Sequence, residues 1–144
     1  MESFAFGGGE AERVEVRLHG YERAPAGDYY DDNWLRVSVH LNVGSFSGSF
    51  EATFLTSELI EFRESLCSLY ESLAGSARFE TLEGQLALHL TGDGKGHIAL
   101  VGIAFDAPGT GNRLDFHIHL EQGHLPSAIR GFDCIATTFP VRAG

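Results

Sequence analysis

Basic residues are scarce in this 144-residue chain: ten Lys and Arg stand against twenty Asp and Glu, a formal net charge of −10. Lysine is almost absent, with Lys95 standing alone. That balance argues against a free-standing nucleic-acid binder, which presents positive surface to phosphates. It argues equally against docking on an anionic membrane. Cysteine is nearly absent too. Cys67 and Cys134 lie in no CxxC or other ligand spacing, and read as free, buried, small hydrophobes on helices rather than as a disulfide framework. No apolar run approaches the roughly 20 residues needed to span a bilayer. The opening residues MESFAFGGGE carry acids and no base, and lack the charged and apolar regions of a secretory signal. The expectation is a cytoplasmic chain with no cofactor, no membrane contact and no direct nucleic-acid partner.

What is present fits a folded domain. Hydrophobic residues make up 43% and charged residues 21%, so wholesale disorder is excluded. The glycines at 7–9 predict a flexible lead-in over 1–11, with one α+β domain over 12–142. Val14, Val16 and Leu18 alternate with polar residues, as do Leu35, Val37, Val39 and Leu41; both read as half-buried strands. A third strand covers about 46–55. The period then changes. Leu59, Phe62, Leu66, Leu69 and Leu73 recur at helical spacing, with Thr56 or Ser57 as N-cap and Gly75 as the stop. Three further strands cover 85–91, 97–105 and 113–121. A short C-terminal helix starts near Pro126, weakened by Gly131. Short turns between strands imply antiparallel pairing. The fold class expected is α+β: a twisted antiparallel sheet of six or seven strands, with one long helix packed across one face and a short C-terminal helix.

Few residues carry chemistry. The turn from Thr91 to Gly96 is glycine-rich but departs from GxxxxGK[ST], and no helix follows it. It reads as a hairpin turn. No GxSxG or cysteine–histidine motif supports nucleophilic catalysis. Two surfaces stand out. Turn positions place His89, Ala99 and His119 abreast on one sheet face, with His117 and Asp115 further along, so His89, His117 and His119 are candidate metal ligands. On that face Val101, Ile103 and Phe105 also permit a dimer. The second surface is the loop Asp28-Tyr29-Tyr30-Asp31-Asp32-Asn33-Trp34. Aromatic residues make binding hot spots, and acids suit a basic partner. Alternatively, Trp34 and one tyrosine anchor the loop while the acids stay solvated.

Specific strings then resemble a family. They are Asn33-Trp34-Leu35, Phe46-Ser47-Gly48-Ser49-Phe50-Glu51-Ala52, Phe54-Leu55-Thr56 and Leu69-Tyr70-Glu71-Ser72-Leu73. Further on are Leu82-Glu83-Gly84-Gln85-Leu86, the run from Leu90 to His97, Gly111-Asn112-Arg113-Leu114, Leu125-Pro126 and Phe139-Pro140-Val141. Over roughly 28–142 the chain resembles the small bacterial WapI-family immunity proteins, which carry no catalytic signature. The resemblance implies a non-enzymatic antitoxin that neutralises a toxin domain delivered by neighbouring cells, expected to be a tRNA-cleaving nuclease. Such a nuclease needs basic surface to hold RNA, and an acidic inhibitor matches it. The partner surface expected is Asp28, Tyr29, Tyr30, Asp31 and Asp32, joined by Glu83 and Asp93 near strand ends. The alternatives are a metal- or small-ligand-binding domain on the histidine face, and a structural or oligomerising module. Monomer and homodimer are both open.

Overall fold

Alternation of apolar and polar residues builds two sheets here. The computed structural model describes residues 2–7 and 11–142. Strands β1 (Ser3–Phe6), β2 (Glu12–Tyr21), β3 (Trp34–Val43) and β4 (Phe46–Leu55) pair antiparallel in sequential order. Strands β5 (Ala74–Glu80), β6 (Leu86–Asp93), β7 (His97–Phe105) and β8 (Arg113–Glu121) do the same in a second sheet. A one-turn helix, α1 (Tyr29–Asp32), precedes β3. Helix α2 (Thr56–Ser72) follows the first sheet, and α3 (Leu125–Thr138) follows the second after a 3-10 turn. The chain thus runs twice through four strands and a helix. This corrects the expected single sheet of six or seven strands. The long helix is also placed differently: α2 packs on β5, α3 and β4, where the two halves meet.

Two strands escape sequence reading for one reason. Each buries only two side chains: Phe4 and Phe6 in β1, Ala77 and Phe79 in β5. Two inward positions make too short a period to recognise. Ser3–Phe6 falls in the segment read as a flexible lead-in, yet it pairs with β2 from Ser3↔Arg17 to Phe6↔Val14. Gly8 and Gly9 of that lead-in lie outside the described residues.

Phenylalanines join the halves. Phe4 of β1 stacks on Phe132 of α3 at 4.2 Å and meets Phe79 of β5 edge-on at 6.2 Å. Phe79 also touches Phe54 of β4 at 5.2 Å and Phe62 of α2 at 5.1 Å. Such ring pairs add to the stabilisation from apolar area alone. Gly131 sits where α3 crosses β1: a Cβ there would lie 2.6 Å from the Ser3 carbonyl oxygen. The residue that weakens the helix is therefore what lets it approach the strand. Buried Gln85 ties the sheets, its amide donating to the Glu51 carbonyl at 3.2 Å and the Phe105 carbonyl at 3.3 Å.

The ends of α2 differ from expectation. Glu58 caps the helix by accepting from the Leu55 N–H at 2.7 Å, while the Thr56 hydroxyl turns to Asn33. At the other end Leu73, not Gly75, takes the left-handed C-cap conformation, with φ 61°. Its carbonyl accepts from the Gly94 N–H at 2.9 Å, which docks the helix end on the β6–β7 turn. Both cysteines are free and helical, but only Cys67 is partly covered; Cys134 is exposed, against the expectation of burial. Among the described residues, no helix is long and apolar enough to cross a membrane.

Candidate functional site: an acidic and aromatic end

The loop singled out by its acids folds around them. Asp28 is the N-cap of α1 and accepts from the Asp31 N–H at 3.1 Å. Asp32 points inward. Its carboxylate accepts from the N–H groups of Ala26, Gly27 and Asp28 at 2.9, 2.8 and 3.1 Å, and its side chain is 1% exposed. The cover is its own loop. These donors, led by the Ala26 N–H, and the Arg23 guanidinium hold its carboxyl below the ordinary aspartate value. Asp32 is thus an ionised loop staple whose oxygens are taken up by its own backbone donors. Asp28 and Asp31 remain exposed, although Arg23 lies 3.3 Å from Asp31. Tyr29 and Tyr30 are 41% and 67% exposed, their rings edge-to-face at 5.3 Å.

Beneath the loop, Asn33 is a buried hub. Its amide donates to the carbonyls of Tyr29 at 2.6 Å and Arg142 at 2.9 Å. Its carbonyl oxygen accepts from the Thr56 hydroxyl at 3.0 Å and the Arg142 N–H at 2.8 Å. One side chain thereby fixes α1, the start of α2 and the C-terminal segment against one another. That segment also lays the Arg142 guanidinium over the Tyr21 ring at 3.4 Å, and the Tyr21 hydroxyl donates to the Pro140 carbonyl. Sequence reading passed over Asn33, because nothing in the string Asn33-Trp34-Leu35 distinguishes a buried amide from a turn residue.

Glu83 joins this end from fifty residues away. A shallow depression of about 470 Å³ is lined by Glu22, Arg23, Asp31, Trp34, Thr53 and Glu83. Three of its carboxylates face one guanidinium, so its field is negative. Next to Glu83, Leu82 is 73% exposed. The turn carrying both is held by Glu58, which accepts from the Leu82 N–H at 2.6 Å. Burial, reinforced by Glu61 and Glu83, raises the Glu58 carboxyl above its ordinary value. Glu22 had no sequence signal beyond its charge. Asp93 lies apart, at the β6–β7 turn. Its carboxylate accepts from the Lys95 and His97 N–H groups at 2.7 and 3.2 Å, which pull its carboxyl down. The glycine-rich run is therefore a turn stapled by its own aspartate.

The histidine face has a different register from the one expected. His89 pairs with Val101, and Val101 with His117. Ala99 does pair with His119, but Thr91, not His89, lies beyond it. Val101, 54% exposed, separates the two nearest strand-crossing histidines. His117 and His119 stand on one strand with ring centroids 5.8 Å apart. Among the described residues, no three His, Cys, Asp or Glu side chains converge to hold a metal ion.

Comparison with known proteins bears on fold and family. The structure of the plant transcriptional regulator PBF-2 is similar in fold, with a TM-score of 0.53 at 12% identity, covering 95% of this chain and 81% of that one. No curated protein sequence matches the chain. Residues 5–140 match the model of the Immunity protein WapI-like family, nearly the whole length over which the two sheets and three helices form. The chain belongs to the WapI-like immunity protein family.

Proposed function

We propose that this chain is a non-enzymatic immunity protein that binds a toxin domain of basic surface through its acidic, aromatic end. The toxin class is a nuclease: its RNA-holding face must be positive, and occluding that face stops the enzyme without chemistry from the inhibitor. The observation that carries the reading is the meeting of Asp31 and Glu83, from separate loops, in one depression with Glu22 and Trp34. Tyr30 and Leu82, both largely exposed, flank it as apolar anchors. Anchors of this kind set the dissociation rate, and the surrounding charge sets the association rate. The net charge of −10 adds long-range attraction toward a basic partner.

The test is titration with the toxin domain encoded beside this gene, at low and moderate salt, with nuclease activity followed in parallel. Tight binding that weakens with salt and abolishes cleavage is expected. Charge reversal at Asp31 and Glu83 should slow association by roughly tenfold at low salt and flatten the salt dependence. Tyr30→Ala should act on dissociation instead. Unchanged association rates in the reversed variants would remove this end as the contact.

A further inference from the structure

Each sheet has two edge strands, and three of these edges are short or charged. β1 has only 4 residues. β5 carries Arg78 and Glu80, and β8 carries Arg113, Asp115 and Glu121; charges on an edge discourage pairing with another chain. The first half of β4 has no such protection. From Leu41 to Phe50 there is no Asp, Glu, Lys, Arg or Pro, and the β3–β4 register runs from Trp34↔Leu55 to Val43↔Phe46 without a bulge. Ser47, Gly48 and Ser49 are exposed, and Phe46 is 65% exposed. A Cβ on Gly48 would meet nothing within 4 Å.

The outward backbone groups of this edge follow from its hydrogen bonds. In an antiparallel ladder the N–H and C=O of one residue point to the same side. The Glu51 carbonyl accepts from Gln85 and the Leu55 N–H donates to Glu58, so the odd-numbered residues of β4 turn away from β3. Ser47 and Ser49 therefore present their N–H and C=O groups along an edge that has no second neighbouring strand. Gln85 ends the open stretch by occupying Glu51. Such an edge is completed by another extended strand.

The residues of the edge identify that strand. Phe46-Ser47-Gly48-Ser49-Phe50 reads the same in both directions. About a two-fold axis through Gly48, antiparallel pairing sets Ser47 against Ser49 of a second copy, and Phe46 against Phe50 of that copy. Both serine pairs are of the kind that exchanges N–H···O=C bonds in each direction. Phe46 gains an aromatic partner across the strands, and the facing glycines leave the rings room. The lack of charge matters as well. Two chains of net charge −10 repel, and this neutral stretch lets their backbones meet without opposing carboxylates.

We propose that this chain forms a two-fold dimer by pairing β4 with β4 of a second copy over Phe46–Phe50, joining two four-stranded sheets into one continuous sheet. The two-fold consumes both open edges, so the assembly closes at two copies. The contact is small, and the dimer is reversible with a Kd of about micromolar. The second copy's hairpin ends opposite Glu51, short of Thr53, where β4 lines the acidic depression. Both acidic ends stay open, and the proposal is independent of the immunity reading.

Sedimentation velocity on the chain alone, over roughly 1–500 µM, should show a monomer–dimer equilibrium that strengthens as salt screens the repulsion. Toxin binding should weaken under the same change. Ser49→Pro removes an outward N–H that β3 does not use, and proline is tolerated on edge strands. Phe46→Glu adds a carboxylate at an exposed position. Each should weaken dimerisation by roughly tenfold or more, with thermal melts showing that the fold is kept; if Ser49→Pro fails to fold, Phe46→Glu decides. Oxidation reads the register in a chain with Cys67→Ser and Cys134→Ser. Gly48→Cys faces its own copy across the axis with Cα atoms about 4.5 Å apart, so it should form a covalent dimer. Ser47→Cys, whose counterpart lies two residues along, should not. A chain that stays monomeric throughout, a dimer that ignores both edge variants, or an assembly that grows beyond two copies overturns the proposal.

Discussion

Asp31 and Asp32 are adjacent in sequence, yet one faces solvent and the other is enclosed by its own loop. No composition argument separates them; the separation comes from three backbone N–H groups that converge on Asp32. Because its folded-state carboxyl titrates below the ordinary 3.8, its contribution to stability is present above that value and is lost as pH falls through the folded value. Asp32→Asn should therefore lower the melting temperature near neutral pH, and the gap to the parent should shrink in acid; a gap independent of pH would refute the staple role. Glu58 works in the opposite sense. Its carboxyl is raised above 4.5, so its favourable contribution belongs to the protonated form and diminishes as pH rises through the folded value. Asn33 carries the largest polar cost. Asn33→Ala strands two carbonyls, a hydroxyl and an N–H around a buried site. The expected loss is about 3 kcal/mol, read from the urea midpoint at unchanged slope.

At the scale of elements, close backbone approaches decide which glycines matter. A Cβ on Gly92 would lie 2.3 Å from the Leu73 carbonyl oxygen, whereas one on Gly48 meets nothing within 4 Å. Gly92→Ala should cost about 2 kcal/mol by forcing the α2 end away from β6, and Gly48→Ala should stay within about 0.5 kcal/mol; paired denaturation curves check both. The same contacts explain what could be read in advance. Long periodic elements were legible: β3, β4, α2 and β8 each repeat their period often enough to show it. The division into two sheets was not, because it depends on β5 turning back from α2 to pair with β6, a choice no local pattern encodes. The histidine register failed similarly, since a shift of two residues keeps every side chain on its face. For the acidic end, the loop was legible from its residue types. The meeting of Glu83, on the β5–β6 turn, with Asp31 depends on how distant strands pair, and the withdrawal of Asp32 depends on backbone donors of its own loop; neither leaves a local sequence signature. The strings that carry the family resemblance include Asn33, Thr56, Gln85 and Gly92, all of which hold the fold together. They announce a family while leaving its contact surface unmarked.

For the whole molecule, the central question is whether two repeats of four strands and a helix behave as one cooperative unit. Phe79 of β5 touches Phe4 and Phe54 in the first sheet and Phe62 in α2, so one side chain contributes to both halves. Phe132 extends the cluster into α3 through Phe4 and Phe62. A core shared in this way leaves neither sheet a hydrophobic face of its own to keep, and unfolding one half exposes the other. Trp34 begins β3 and is the chain's single tryptophan, so its fluorescence reports the first sheet, while far-UV circular dichroism reports both. The two signals should give one coincident transition. Phe79→Ala, although it lies in the second sheet, should shift both together by about 3–5 kcal/mol. Separate midpoints, or a Trp34 transition that ignores Phe79→Ala, would mean that the halves fold independently. Coincidence would have a functional consequence: the acidic end draws Asp31 from the first sheet's loops and Glu83 from the second's, so its geometry would be as stable as the whole chain.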